Sequence, residues 1–283
     1  MLQASELTLL NTELPGKQVV ISTHKGPDGD AIGSSTALAQ FLQKLDCYCT
    51  IIVPDDFPAF LKWIPGNELV KVFEGNEEEL TKTIQDAQII FSLDYNDLNR
   101  VGDVGQLISD SNATKVLIDH HEEPKDFADI NYHDATCCST AQLVYDFIEE
   151  LGHKEKIDND IAAGIYVGIM TDTGSFRFPS VTYRTHEILG ELIKNGLEHY
   201  KIHEAIYDDN SVDRLQLNGF AVSEKLELLL NGQVGVISLN TSEMKRFNAK
   251  KGDTEGLVNK ALSISGVKMA VFFREQNGLV KIS

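Results

Sequence analysis

The sequence has no apolar run near the roughly 20 residues that a membrane-spanning helix requires. Its start, "MLQASELTLLNTELPGKQ", lacks the basic head and apolar middle of a secretory signal, so a cytoplasmic protein is expected. Basic residues are scarce: 25 Lys and Arg stand against 43 Asp and Glu, a formal net charge of −18. Tight nonspecific binding of long duplex nucleic acid draws on Lys and Arg displacing counterions, and this composition excludes a broad surface of that kind. Cysteines are few, at Cys47, Cys49, Cys137 and Cys138. Neither C-x-C nor a vicinal pair has zinc-ribbon spacing or implies a disulfide framework, and all four are expected in the interior. No Gly-Lys-Ser/Thr follows "GPDG", so it is not a Walker A loop, and no G-x-G-x-x-G follows a strand candidate, which argues against a dinucleotide cofactor. There is no internal repeat or low-complexity segment.

What remains is an ordinary globular composition, 42% hydrophobic over 283 residues, enough for one large domain and a smaller one. Strand candidates "KQVVIST", "CYCTIIV", "QIIFSLD" and "TKVLIDHH" alternate with helical segments such as "DAIGSSTALAQFLQKL" and "NEEELTKTIQDA". This rhythm predicts an α/β fold, a mostly parallel sheet with helices on both faces, and the continuous apolar runs suit central strands. After residue 138 the pattern turns helical. "STAQLVYDFIEELG" opens on Ser139 and Thr140 as N-cap candidates, and "DNDIAAGIYVGIMTDTGSF" is rich enough in small residues to pack tightly on a neighbour. "TYRTHEILGELIKNG" closes at Gly196. Residues 1–196 read as the first domain, 197–211 as a partly helical connector, and 212–283 as a smaller α+β domain. The stretch from "DRLQLNGF" through "LNGQVGVISLN" has hairpin-like alternation with an NG turn.

The chemistry collects at strand ends. "KQVVIST" runs into His24, Asp28 and Asp30; "QIIFSLD" ends at Asp94; "KVLIDHH" ends at Asp119, His120 and His121. Ligands of open parallel sheets bind outside the carboxyl ends of the strands, so these groups are expected at one edge. Asp172, in "GIMTDTGSFRF", is placed to reach the same edge. Singly, each has a plainer explanation: Asp28, Asp30 or Asp172 as a helix cap, Asp119 as the partner that orients a histidine. Together, several aspartates cannot all ionise in a confined place without counter-charge, and a divalent cation supplies it. Mixed carboxylate and imidazole donors suit Mn²⁺, with Mg²⁺ and Co²⁺ among the alternatives. Two His and four Asp exceed what one catalytic ion takes, and two ions sharing a carboxylate would use them all. His133, His153, His186, His199 and His203 lack such company and read as surface or capping residues.

The order H-x3-D-x-D, strand-terminal Asp, D-H-H, then Asp beside T-G-S-F-R-F resembles the DHH phosphoesterase superfamily. "HKGPDGDAIGS", "LDYNDLNR", "IDHH" and "MTDTGSFRF" are similar to its four motifs, and "DTEGLVN" and "VFFRE" resemble its smaller DHHA1 domain. The likeness points to the branch of nanoRNases and 3′-phosphoadenosine-5′-phosphate phosphatases, often labelled exopolyphosphatase-related. It implies that His24, Asp28 and Asp94 hold one ion, and Asp30, Asp94, His120 and Asp172 the other, with Asp94 bridging. It implies that His121 faces the scissile phosphate, and that Arg177 contacts phosphate or substrate. It also implies a terminal G-G-G-H segment; this sequence carries none, so the smaller domain is expected to be incomplete.

The implied activity is two-metal hydrolysis of short 5′-phosphorylated RNA, or of a nucleotide 3′,5′-bisphosphate, in a cleft between the domains. Two alternatives stand beside it: hydrolysis of polyphosphate or pyrophosphate by the same ions, and a noncatalytic nucleotide-binding protein. "EMKRFNAKKGD" is the one modest basic cluster of the second domain, which disfavours the former; the completeness of the six ligands disfavours the latter. The oligomeric state stays open, a homodimer included.

Overall fold

The apolar runs of the first two-thirds become the strands of one sheet. β1 (Gln18–Ser22), β2 (Tyr48–Val53), β3 (Val70–Val72), β4 (Ile89–Leu93), β5 (Thr114–Asp119) and β6 (Ile130–His133) lie in the order β3-β2-β1-β4-β5-β6, and every neighbouring pair is parallel. The chain winds outward from β1 in one direction and from β4 in the other. The carboxyl ends of β1 and β4 therefore flank the switch point, where an open sheet leaves a crevice for ligand.

The structure is a computed structural model that describes residues 2–276 and 278–283. It divides into two compact units, Met1–His203 and Glu204–Ser283, and the division falls inside the segment read as a connector. The first unit adds α1 (Ala4–Glu13), α2 (Gly29–Gln43), α3 (Glu77–Asp86), α4 (Asp103–Asp110), α5 (Thr140–Glu150), α6 (Asn159–Asp172), α7 (Tyr183–Lys194) and α8 (His199–His203). Strand alternation sends side chains to both faces of the sheet. Ile90 packs with Leu80 and Ile84 of α3 and Val104 and Ile108 of α4. Its neighbour Phe91 meets Phe147 of α5 edge-on, with ring centroids 6.1 Å apart. Continuous apolar strands are the consequence of burial on both sides.

The small residues of α6 do what their density predicts. A Cβ added at Gly33 of α2 would lie 2.4 Å from the Gly164 carbonyl oxygen of α6, and one added at Gly164 would lie 2.7 Å from that of Gly33. The two backbones touch, and the crossing draws the start of α2 towards the end of α6, both of which carry candidate ligands.

The second unit contains α9 (Val212–Glu224), β7 (Leu226–Leu229), β8 (Val234–Leu239), α10 (Thr241–Arg246), α11 (Leu257–Leu262), β9 (Met269–Gln276) and β10 (Leu279–Ile282). Its sheet runs β10-β9-β8-β7, with β8 and β9 parallel and the outer pairs antiparallel. Leu217 and Ala221 of α9 are buried with Ile237, Leu239, Leu257, Ala261 and Phe272. Here the sequence reading needs one correction. "DRLQLNGF" is helical: Ser211 caps it, accepting from the Arg214 amide, and the spacing of Leu217 and Ala221 puts both on one helix face. The NG that turns a hairpin is Asn231-Gly232, where Leu230, Asn231 and Gly232 all take positive φ.

All four cysteines are free thiols, Cys47, Cys137 and Cys138 buried and Cys49 half-buried. Among the described residues, no helix is long and apolar enough to cross a membrane.

Candidate metal centre

The loop after β1 delivers His24 and then Asp28. Asp28 is the N-cap of α2, accepting from the amides of Asp30 and Ala31, each at 3.1 Å, so its plain capping role and its place at the sheet edge coexist. Asp30 follows in the first turn of α2 and is fully buried. Asp94 is the residue after β4, in the left-handed region at φ +63°, a conformation aspartate tolerates better than most residues. His120 and His121 follow β5, and Asp172 is the last residue of α6.

These groups converge as two sets around one carboxylate. His24, Asp28 and Asp94 present donor atoms within 4.8 Å of one another, as do Asp30, His120 and Asp172. His24 Nε2 lies 3.4 Å from Asp94 Oδ2 and 3.9 Å from Asp28 Oδ2. His120 Nε2 lies 3.5 Å from Asp94 Oδ1, 3.3 Å from Asp172 Oδ2 and 3.9 Å from Asp30 Oδ2. Asp94 thus turns one oxygen to each histidine. Both rings are oriented from behind: Nδ1 of His24 bonds the Lys25 carbonyl at 3.1 Å and Nδ1 of His120 the Cys137 carbonyl at 3.4 Å, which leaves Nε2 of each for the centre.

The electrostatics describe a place short of positive charge. Burial opposes protonation of His24 and His120, yet Asp94, with Asp28 beside His24 and with Asp172 and Asp119 near His120, raises each to about 9. Burial and the charges of Asp94 and Asp28 push Asp172 up to about 8. Burial, then Asp94, Asp172 and Asp28, raises Asp30 well above the carboxylate range. Asp94 goes the other way: burial would raise it, but the hydrogen bonds and charges of His120 and His24 hold it below that range. Two imidazoles and four carboxylates in this arrangement fit hard or borderline divalent cations, and the fit rests on donor type and convergence.

His121 lies against the same Asp94 carboxylate: with Asp94 and His120 it forms a third set of donors within 4.8 Å of one another, its Nδ1 3.7 Å from Asp94 Oδ1. Its Nδ1 is 2.7 Å from Asp119 Oδ1, and Asp119 is fully buried, the orienting role that the sequence suggested for it. Two supporting groups escaped sequence reading. His133 on β6, read as a surface residue, reaches back with Nε2 to the His121 carbonyl at 2.5 Å. Thr140, read only as a capping candidate, donates its hydroxyl to Asp94 Oδ1 at 3.0 Å. Arg177 is exposed and its Nε donates to the Gly174 carbonyl at 2.5 Å; among the described residues, no ion pair joins it to the cluster. It sits on the turn after Asp172, where Gly174, Ser175 and Phe176 all have positive φ.

Residues 18–169 match the model of the DHH family, N-terminal domain. The chain is 25% identical over 268 residues to the bifunctional oligoribonuclease and PAP phosphatase NrnA of Bacillus subtilis, covering 93% of this chain and 80% of that protein. It is 27% identical over 274 residues to the manganese-dependent inorganic pyrophosphatase of Methanocaldococcus jannaschii, covering 88% and 80%. Among solved structures, an exopolyphosphatase-related protein from Bacteroides fragilis superimposes with a TM-score of 0.93 at 36% identity, over 98% of this chain and 81% of that one.

Proposed function

Because the chain belongs to the DHH family, we propose that it is a metal-dependent phosphoesterase acting on short 5′-phosphorylated oligoribonucleotides, releasing mononucleotides, or on a nucleotide 3′,5′-bisphosphate, releasing one phosphate. The likeness to NrnA along 93% of the chain supports the substrate class. The observation that carries the chemistry is Asp94, with Oδ2 3.4 Å from His24 Nε2 and Oδ1 3.5 Å from His120 Nε2, as a carboxylate shared by two ions requires.

In this reading His24, Asp28 and Asp94 hold one divalent ion, and Asp30, Asp94, His120 and Asp172 the second. Mn²⁺ is the proposed metal, on the mixture of imidazole and carboxylate donors. A pair of such ions, when bound, supplies Lewis acidity that activates water and clamps the oxygens of a phosphoryl centre. The chain's own residues do the rest. With Nδ1 engaged by Asp119, His121 keeps Nε2 for the phosphoryl oxygens of the substrate, on which charge builds. The exposed Arg177 guanidinium is proposed as a second phosphate contact, suited to paired hydrogen bonds. Residues 1–196 carry the metal centre in this proposal, and residues 212–283 help to bind substrate beyond connector 197–211.

The likeness to the pyrophosphatase favours a second reading, the same ions acting on pyrophosphate or polyphosphate. A turnover panel with Mn²⁺, comparing a 5′-phosphorylated diribonucleotide, 3′-phosphoadenosine 5′-phosphate and pyrophosphate, separates the two. Faster turnover of either nucleotide is expected. Faster turnover of pyrophosphate establishes the rival, and inactivity on all three with both ions bound leaves a nucleotide-binding protein.

A further inference from the structure

The first turn of α5 touches both carboxylates at the heart of the centre, and one residue makes most of the contact. Opening helical turns carry amides with no partner inside the helix. Here the amide of Thr140 donates to Asp30 Oδ2 at 2.6 Å and that of Ala141 to Asp30 Oδ1 at 2.9 Å. The Thr140 hydroxyl donates to Asp94 Oδ1 at 3.0 Å. Ser139 holds the turn in place as the N-cap, its Oγ accepting from the Gln142 amide at 3.1 Å. Thr140 and Asp30 are fully buried and Asp94 nearly so. Gly168 of α6 closes the remaining side: an added Cβ there would lie 2.6 Å from Asp30 Oδ1 and 2.4 Å from the Ala141 Cβ.

We infer that Thr140 is a positioning residue, whose hydroxyl sets the carboxylate plane of Asp94 for the ion on the His120 side while its amide sets Asp30 for the same ion. This rests on the two-ion reading above. The bond falls on Oδ1, the oxygen facing His120, so the second site depends on it more than the first. The carboxylate torsion of aspartate is broad. Two backbone amides fix Asp30, but Asp94 follows its strand in a left-handed residue and gains an orienting donor from Thr140. A hydroxyl has one proton to give, and giving it to Oδ1 leaves that oxygen's other lone pair for a metal.

The test is Mn²⁺ binding to the full chain by titration calorimetry, with electron paramagnetic resonance of the loaded protein. Thr140→Val keeps the shape and both amides but removes the donor; Thr140→Ser keeps the donor. Wild type and Thr140→Ser should bind two ions and show an exchange-coupled pair. Thr140→Val should bind the first ion as wild type does and the second roughly 10- to 100-fold more weakly, the cost usual for losing a group that orients a ligand. Wild-type binding of both ions by Thr140→Val, or equal loss in Thr140→Ser, overturns the inference. If Thr140→Val does not fold, Thr140→Ala set against Thr140→Ser decides by the same criterion. Wild type binding fewer than two ions defeats the two-ion reading itself, a distinct result.

Discussion

The two halves of the metal centre are assembled from the chain in different ways. His24 and Asp28 come from one loop, four residues apart, and Asp28 is held by amides of the helix it caps. On the other side Asp30, His120 and Asp172 come from α2, the end of β5 and the end of α6, and Asp30 is held by α5. The first half is local and its outer ligand, Asp28, is exposed; the second depends on four elements packing correctly around a carboxylate with no exposed surface. Asp94 belongs to both. A local half can form with its loop, whereas a non-local half reports on the whole domain, so perturbations should separate them.

The largest effect belongs to the shared residue. Asp94→Ala should abolish turnover and remove both ions, with circular dichroism unchanged; retained activity would contradict the bridging role. Next, single-ligand variants should divide the centre. Asp172→Ala should lose the second ion and keep the first, while Asp28→Ala should do the reverse, each lowering kcat/KM by roughly 100-fold or more, at or above the range for orienting partners. Metal analysis with kinetics checks this; simultaneous loss of both ions in either variant would erase the distinction between the halves.

Smaller effects sharpen it. Asp119→Asn should lower kcat by roughly 10- to 100-fold with both ions still bound, because it disturbs the ring of His121 and no ligand. For pH, His24 and His120 are raised to about 9 and so carry protons at pH 7 in the metal-free protein. Ligation through Nε2 requires the neutral ring, so Mn²⁺ binding should release protons at pH 7 and weaken as pH falls, the release fading above pH 9. Calorimetry in buffers of different ionisation enthalpy reads this directly, and heats independent of buffer would contradict it. Last, Gly33→Ala forces α2 off α6, where a Cβ would sit 2.4 Å from the Gly164 carbonyl oxygen. It should cost about 1–3 kcal/mol of stability in thermal unfolding and loosen the second ion more than the first.

Most of the first unit was legible because its strands are continuous apolar runs and its helices begin and end on recognisable residues, Ser139 and Gly152 among them. The six ligand candidates were legible for a related reason. The fold puts them at strand and helix ends, and parallel topology gathers such ends at one edge. What escaped notice acts through contacts that no local pattern encodes. Thr140 reaches Asp94 from 46 residues away, and His133 supports the His121 loop through a backbone carbonyl. Helix α9 was hidden by "LQLNG", which alternates like a strand and ends in a turn dipeptide, while the contacts of Leu217 and Ala221 that favour a helix are tertiary.

The most direct measurement is anomalous diffraction at the manganese edge from crystals grown with Mn²⁺. Two peaks are expected, one among His24, Asp28 and Asp94 and one among Asp30, Asp94, His120 and Asp172, with Asp94 within bonding distance of both. A single peak, or two that do not share Asp94, would contradict the account.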